Sequence, residues 1–200
     1  MKRLTTACLK PSSALLFALC AGAAQAHTGH GTSGLVEGLS HPLGMDHLLA
    51  MVAVGVWSVS ALPANKAWWG PATFMASLVL SAMLGAISGT VPFIEHLISF
   101  SVVMFGAMLV FSRLKLPAAV GLSLVALAAA FHGLAHGAEA PETDFATYAL
   151  GFLMTTALLH FGGVFAALGL RRFVPEKAPL VVAALGALCA GAGAYLLSQV

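Results

Sequence analysis

PAAVGLSLVALAAAFHGLAHGAE (residues 117–139) is an apolar run that acquires two histidines and a glutamate at its far end. A helix needs about 20 predominantly apolar residues to cross the hydrocarbon of a bilayer. This run reaches that length only by taking in His132 and His136. Ionisable groups at membrane depth cost about 2.5–3.5 kcal/mol each on insertion scales, so they mark function unless shown otherwise. The stretch therefore sets both the fold class, an all-α integral membrane protein, and the first place to look for chemistry.

The rest of the chain agrees with a membrane assignment. Hydrophobic residues make up 60% of the 200 and charged residues only 8%, with a mean hydropathy of +0.95. The first segment reads as a secretory signal peptide: Lys2, Arg3 and Lys10 precede a short apolar run, and Ala24-Gln25-Ala26 supplies a small-residue cleavage site. Residues 1–26 are thus expected to be removed, leaving 27–200 as one membrane domain. That also removes three of the nine basic residues, so the basic balance belongs to targeting and gives no reason to expect nucleic acid as a partner. Cys8 and Cys20 fall in the same segment. Cys189 alone remains, which excludes a disulfide framework and suits a small packing residue.

Six spans are expected, at about 41–62, 70–90, 93–112, 117–136, 145–170 and 179–198, forming a six-helix bundle. With the new N-terminus outside, Lys66, Arg113, Lys115, Arg171, Arg172 and Lys177 all fall in inner loops, as the positive-inside rule requires. The outer loops hold no Lys or Arg, and the loop after the fourth span carries Glu139, Glu142 and Asp144. A bacterial inner-membrane protein with both mature termini on the periplasmic side follows. Lipid is then its principal surroundings, and a homo-oligomer stays open.

Other polar residues gather at the outer side. Residues 48–62 are too few to span, so the first helix is expected to begin near His41 and to carry Asp46 and His47. The third span likewise needs Glu95 and His96. Asp46-His47-Leu48 and Glu95-His96-Leu97 resemble one another, but two three-residue matches are weak support for an internal repeat. His160 differs: it lies roughly 24 Å along a helix from Asp144 at 1.5 Å per residue, toward the inner half and away from the outer cluster. Two readings stand for it, a second station on a path or a histidine bonded to a neighbouring helix. Gly85, Gly89, Gly162, Gly163, Gly186, Gly191 and Gly193 read as close-approach positions between helices. Trp57, Trp68 and Trp69 read as anchors at the inner boundary. Met75, Met83, Met104, Met108 and Met154 read as packing residues, and so do Met45 and Met51 ahead of a role as soft ligands.

Two motifs carry the chemistry. In FHGLAHGAE (residues 131–139), His132 and His136 are four apart, so both imidazoles project from one helix face and can hold one ion. Glu139 joins that stripe if the helix continues, while Gly133 and Gly137 leave room for a bend. In HPLGMDHLLAM (residues 41–51), Pro42 suits a helix start. Asp46 and His47 are about 100° apart around the helix, so they do not bind one ion side by side; one of them orients a ligand instead. Processing adds a third feature. Cleavage before His27 frees an α-amine beside an imidazole, and His30 follows, a set able to chelate a divalent ion; the alternative is a disordered polar terminus.

On these motifs the chain resembles the HupE/UreJ family of nickel/cobalt permeases, over essentially its whole length. The family pattern FHGx(A/V)HGxE is met at Phe131, His132, Gly133, Ala135, His136, Gly137 and Glu139. Its HPxxGxDH pattern is met at His41, Pro42, Asp46 and His47, with one residue fewer between proline and aspartate, a change that turns His41 by about 100° relative to Asp46. The resemblance implies uptake of nickel, or in some members cobalt.

The reading is a secondary permease for Ni²⁺ or Co²⁺, with the metal as cargo and no prosthetic group. His27 and His30 would catch ions and pass them to His41, Asp46, His47, His132 and His136, joined by Glu95, His96 and Glu139. Imidazole and carboxylate by themselves specify only a divalent transition metal. The rival class is an intramembrane zinc hydrolase, with Glu139 or Glu95 as base on the same ligands. No H-E-x-x-H signature supports it. A b-type haem protein ranks last, because His160 has no obvious partner at its depth.

Overall fold

The computed structural model describes residues 34–89, 91–114, 116–141 and 144–200. The signal peptide, His27 and His30 lie outside them. The described chain is helical throughout: α1 (Gly34–Ser40), a 3-10 turn (His41–Leu43), α2 (Met45–Ala61), a second 3-10 turn (Ala64–Lys66), α3 (Trp69–Ser88), α4 (Ile94–Val110), α5 (Ala118–Ala138), α6 (Phe145–Phe173) and α7 (Ala178–Leu197). Among the described residues there is no strand.

Four segments are long and apolar enough to cross a membrane unaided: Ala64–Ser88, Ala118–Ala138, Phe145–Phe173 and Ala178–Leu197. The expected first span is not one helix starting at His41. Gly34–Leu43 and Met45–Ala61 pass the same test only as a pair, meeting at 69°. The cause is local. Pro42 sits in the first turn of the 3-10 segment, where its ring and missing N–H prevent an α-helix from running through. Gly44 then adopts an extended conformation (φ −52°, ψ 145°) and starts α2 afresh. The expected third span is short: α4 has 17 residues, about 26 Å against a hydrocarbon core of about 30 Å.

The helices pair through small residues. α3 lies along α5, α4 along α7, and α6 against both α1 and α2. Gly133 and Gly137 lie against the α3 backbone at Leu78 and Ala82, so closely that a methyl group on either would overlap it. They are contact points rather than a hinge, and α5 runs on through both to Ala138. Gly85, Gly163, Gly186 and Gly193 also face neighbouring backbones, as expected of close-approach positions. Gly162 and Gly191 face open space instead, and Gly89 ends α3 with φ 73°.

Met51, Val54, Phe74, Phe105, Leu109 and Val125 fill the centre without exposure. Trp57 belongs to this core, lying on Gly121, and is not the boundary anchor its position suggested. Trp68 is exposed, while Trp69 carries the Lys66 ammonium 4.2 Å above its ring. Met83 and Met154 face outward rather than pack inside. The outer surface is apolar over its length, with Ile87 86%, Leu188 73% and Leu158 69% exposed. A surface of that kind is stable in lipid rather than in water.

Candidate metal centre

Three elements meet at one end of the bundle: the break before α2, the last turn of α5 and the first turns of α6. Asp46 and His47 are adjacent on α2, and their contact answers the question of which supports which. The His47 Nδ1–H donates to Asp46 Oδ1 at 2.8 Å. The carboxylate thereby fixes the tautomer and leaves Nε2 bare, as a carboxylate does where it orients a metal-binding imidazole. That Nε2 is in hydrogen-bond contact with His136 Nε2.

His41 completes the group. The break at Gly44 carries it off the α2 axis, and its ring packs edge-on to His136 at 4.7 Å and to His47 at 5.8 Å. One nitrogen from each of His41, His47 and His136 lies within 4.8 Å of the others. His47 and His136 are buried and His41 half-buried. Tyr148 and Phe152, on the first turns of α6, wall the group: His41 lies 5.9 Å from each ring, and His136 lies 4.6 Å from Phe152. Both aromatic residues escaped the sequence reading, since nothing in an apolar span distinguishes a wall from ordinary packing.

His132 lies one turn deeper on α5 and outside the three-residue group, although its ring is 4.7 Å from that of His47. Ser101 on α4 holds it. The Ser101 hydroxyl proton goes to the Ile98 carbonyl at 2.7 Å, so the hydroxyl oxygen accepts the His132 Nε2–H at 3.0 Å. His132 Nδ1 is consequently bare and buried, with no hydrogen-bond partner among the described residues. Ser101 was also missed, because a lone serine in an apolar helix gives no signal of its own.

Glu95, His96 and Glu139 are exposed at the ends of α4 and α5 and are not among the converging three. His96 rests its ring on Phe93. α5 ends at Ala138 and Glu139 caps it, its N–H still bonded to the Ala135 carbonyl at 3.0 Å, and the residue is exposed rather than part of the converging group. These ends nonetheless belong to the same side of the bundle, since Ile94 and Ile98 of α4 pack on Ala135 of α5.

His160 is fully buried, and its Nδ1–H donates to the Thr156 carbonyl of its own helix at 2.7 Å rather than to a neighbouring helix. Nor is it remote from the other histidines. Phe74 lies 4.7 Å from its ring and 5.8 Å from that of His132.

The opposite end is basic. Arg113 and Arg171 line a cavity of about 390 Å³ with the last residues of α2 and the first of α7. Arg171 Nη2 also donates to the Ser60 carbonyl at 3.3 Å.

Fold and site together define a polytopic helical membrane protein with imidazoles converging at one end of its bundle. The chain belongs to the HupE / UreJ protein family, whose model matches residues 15–196. It is 40% identical over 177 residues to Protein HupE of Rhizobium leguminosarum bv. viciae, covering 87% of this chain and 90% of that one. No solved structure matches it.

Proposed function

We propose that the protein is a secondary permease importing a divalent transition metal ion, nickel or cobalt, across the bacterial inner membrane. The observation that carries this reading is the convergence of His41, His47 and His136 within an apolar bundle. Neutral imidazoles suit nickel, cobalt, zinc and copper alike. The choice of nickel or cobalt rests on the family resemblance. A three-imidazole site without thiolate also suits transport, which needs binding weak enough to permit release. The hydrolase reading gains nothing here, for the converging group holds no carboxylate to serve as base.

In this scheme residues 1–26 are cleaved, and His27 and His30 gather ions at the outer face. Glu95, His96 and Glu139 form the rim through which ions reach the imidazoles. The chain crosses six times, with the broken α1–α2 pair as its first pass and the short α4 as its third. Both mature termini are then periplasmic.

The test is radioactive nickel accumulation in nickel-limited cells producing wild-type protein or the His47→Ala, His136→Ala double variant at matched membrane levels. Wild-type uptake is expected to exceed that of empty-vector cells, the variant should return to that background, and cobalt should compete. Wild-type uptake no faster than the empty-vector background rejects the permease.

A further inference from the structure

Beyond the converging group, the bundle holds buried polar atoms with no hydrogen-bond partner among the described residues. On α6 these are His160 Nε2 and Thr156 Oγ1, and on α2 Ser58 Oγ. Such atoms are costly in a membrane core unless something occupies them. Their helices touch at this level: Gly55 of α2, one turn from Ser58, lies against the His160 carbonyl so closely that a side chain there would overlap it.

The geometry points to His160 as a second station for the transported divalent cation, linked to His132 through the ring of Phe74, which packs on both. This rests on the permease reading. Because its Nδ1–H is committed to the Thr156 carbonyl, the bare nitrogen of His160 is Nε2, the form in which imidazole ligates a metal. His132, held by Ser101, likewise presents a bare Nδ1. Phe74, itself unexposed, packs on both rings, so one phenyl group adjoins two imidazoles that each present a bare nitrogen. The inner station has one imidazole where the outer site has three. Its weaker hold favours release inward, in keeping with multi-site conduction.

Two experiments on the purified full chain test the station. In a variant with Cys8, Cys20 and Cys189 replaced by alanine, His160→Cys is titrated with Co²⁺. A thiolate-to-cobalt charge-transfer band is expected, and its absence overturns the metal station whatever happens to transport. In proteoliposomes, His160→Ala and His160→Asn are compared for nickel flux. Asparagine restores an N–H donor for the Thr156 carbonyl but has no atom in the place of Nε2. Both variants should lose at least about tenfold in flux, with equilibrium nickel affinity at the outer site changed by less than about twofold. Recovery of flux by asparagine would show that the histidine only braces α6, and the proposal would be wrong. If wild-type proteoliposomes move no nickel, the permease reading itself fails, an outcome distinct from normal flux in the variants.

Discussion

At the scale of single residues, the pair Asp46 and His47 shows how adjacency on a helix becomes cooperation. Side chains about 100° apart cannot present themselves to one ion, yet the carboxylate can turn back and take the Nδ1–H of its neighbour. Replacing Asp46 by alanine is expected to weaken nickel binding by about 10–100-fold, since outer-shell partners of ligating histidines typically have effects of that size. Asp46→Asn, which keeps an accepting oxygen without its charge, should fall between alanine and wild type. Equilibrium dialysis on purified protein checks this, and an alanine variant with wild-type affinity would remove the carboxylate from the site. The involvement of His41 was harder to read. Counting residues predicts facing only along an unbroken helix, and the chain breaks between His41 and His47. The shortened spacing therefore does not turn His41 away. The break at Gly44 redirects it toward His136.

At the scale of helices, two neighbouring glycines make a sharp comparison. Gly163 of α6 faces the Val52 carbonyl of α2, while Gly162 faces open space. Gly163→Ala must push the two helices apart and is expected to cost about 1–3 kcal/mol, as overpacking does. Gly162→Ala should be neutral or stabilising by up to about 1 kcal/mol, because alanine is the better helix former. Thermal unfolding in one detergent reads both, and equal effects would mean that the α2–α6 contact is not as close as described. This distinction was invisible in the sequence. Length and hydropathy located α3, α5, α6 and α7 well, because lipid imposes those two properties on any unaided span. They say nothing of which side of a uniformly apolar helix meets a neighbour. Trp57 and Gly121 illustrate the same gap: an inward-facing tryptophan and the glycine that accommodates it look like a boundary anchor and a spare small residue until the helices are packed together.

Across the whole molecule, polarity is divided between the two ends. The imidazole group lies where α2 begins and α5 ends, beside the exposed Glu139, while Arg113 and Arg171 line the cavity at the other end of the bundle. The sequence made this division legible because charge in the loops is set by membrane insertion rather than by packing. Which way the division points decides the side from which the imidazoles are reached. If the basic end is cytoplasmic, the imidazoles face the periplasm and are loaded from outside. In a background with Cys8, Cys20 and Cys189 replaced by alanine, Glu139→Cys should react with a membrane-impermeant maleimide in intact spheroplasts. Arg172→Cys, exposed at the far end of α6, should react only after permeabilisation. The reverse pattern would place the three-imidazole group on the cytoplasmic side, where it would collect ions already inside. The reading in which ions are loaded at these imidazoles from outside would then fail.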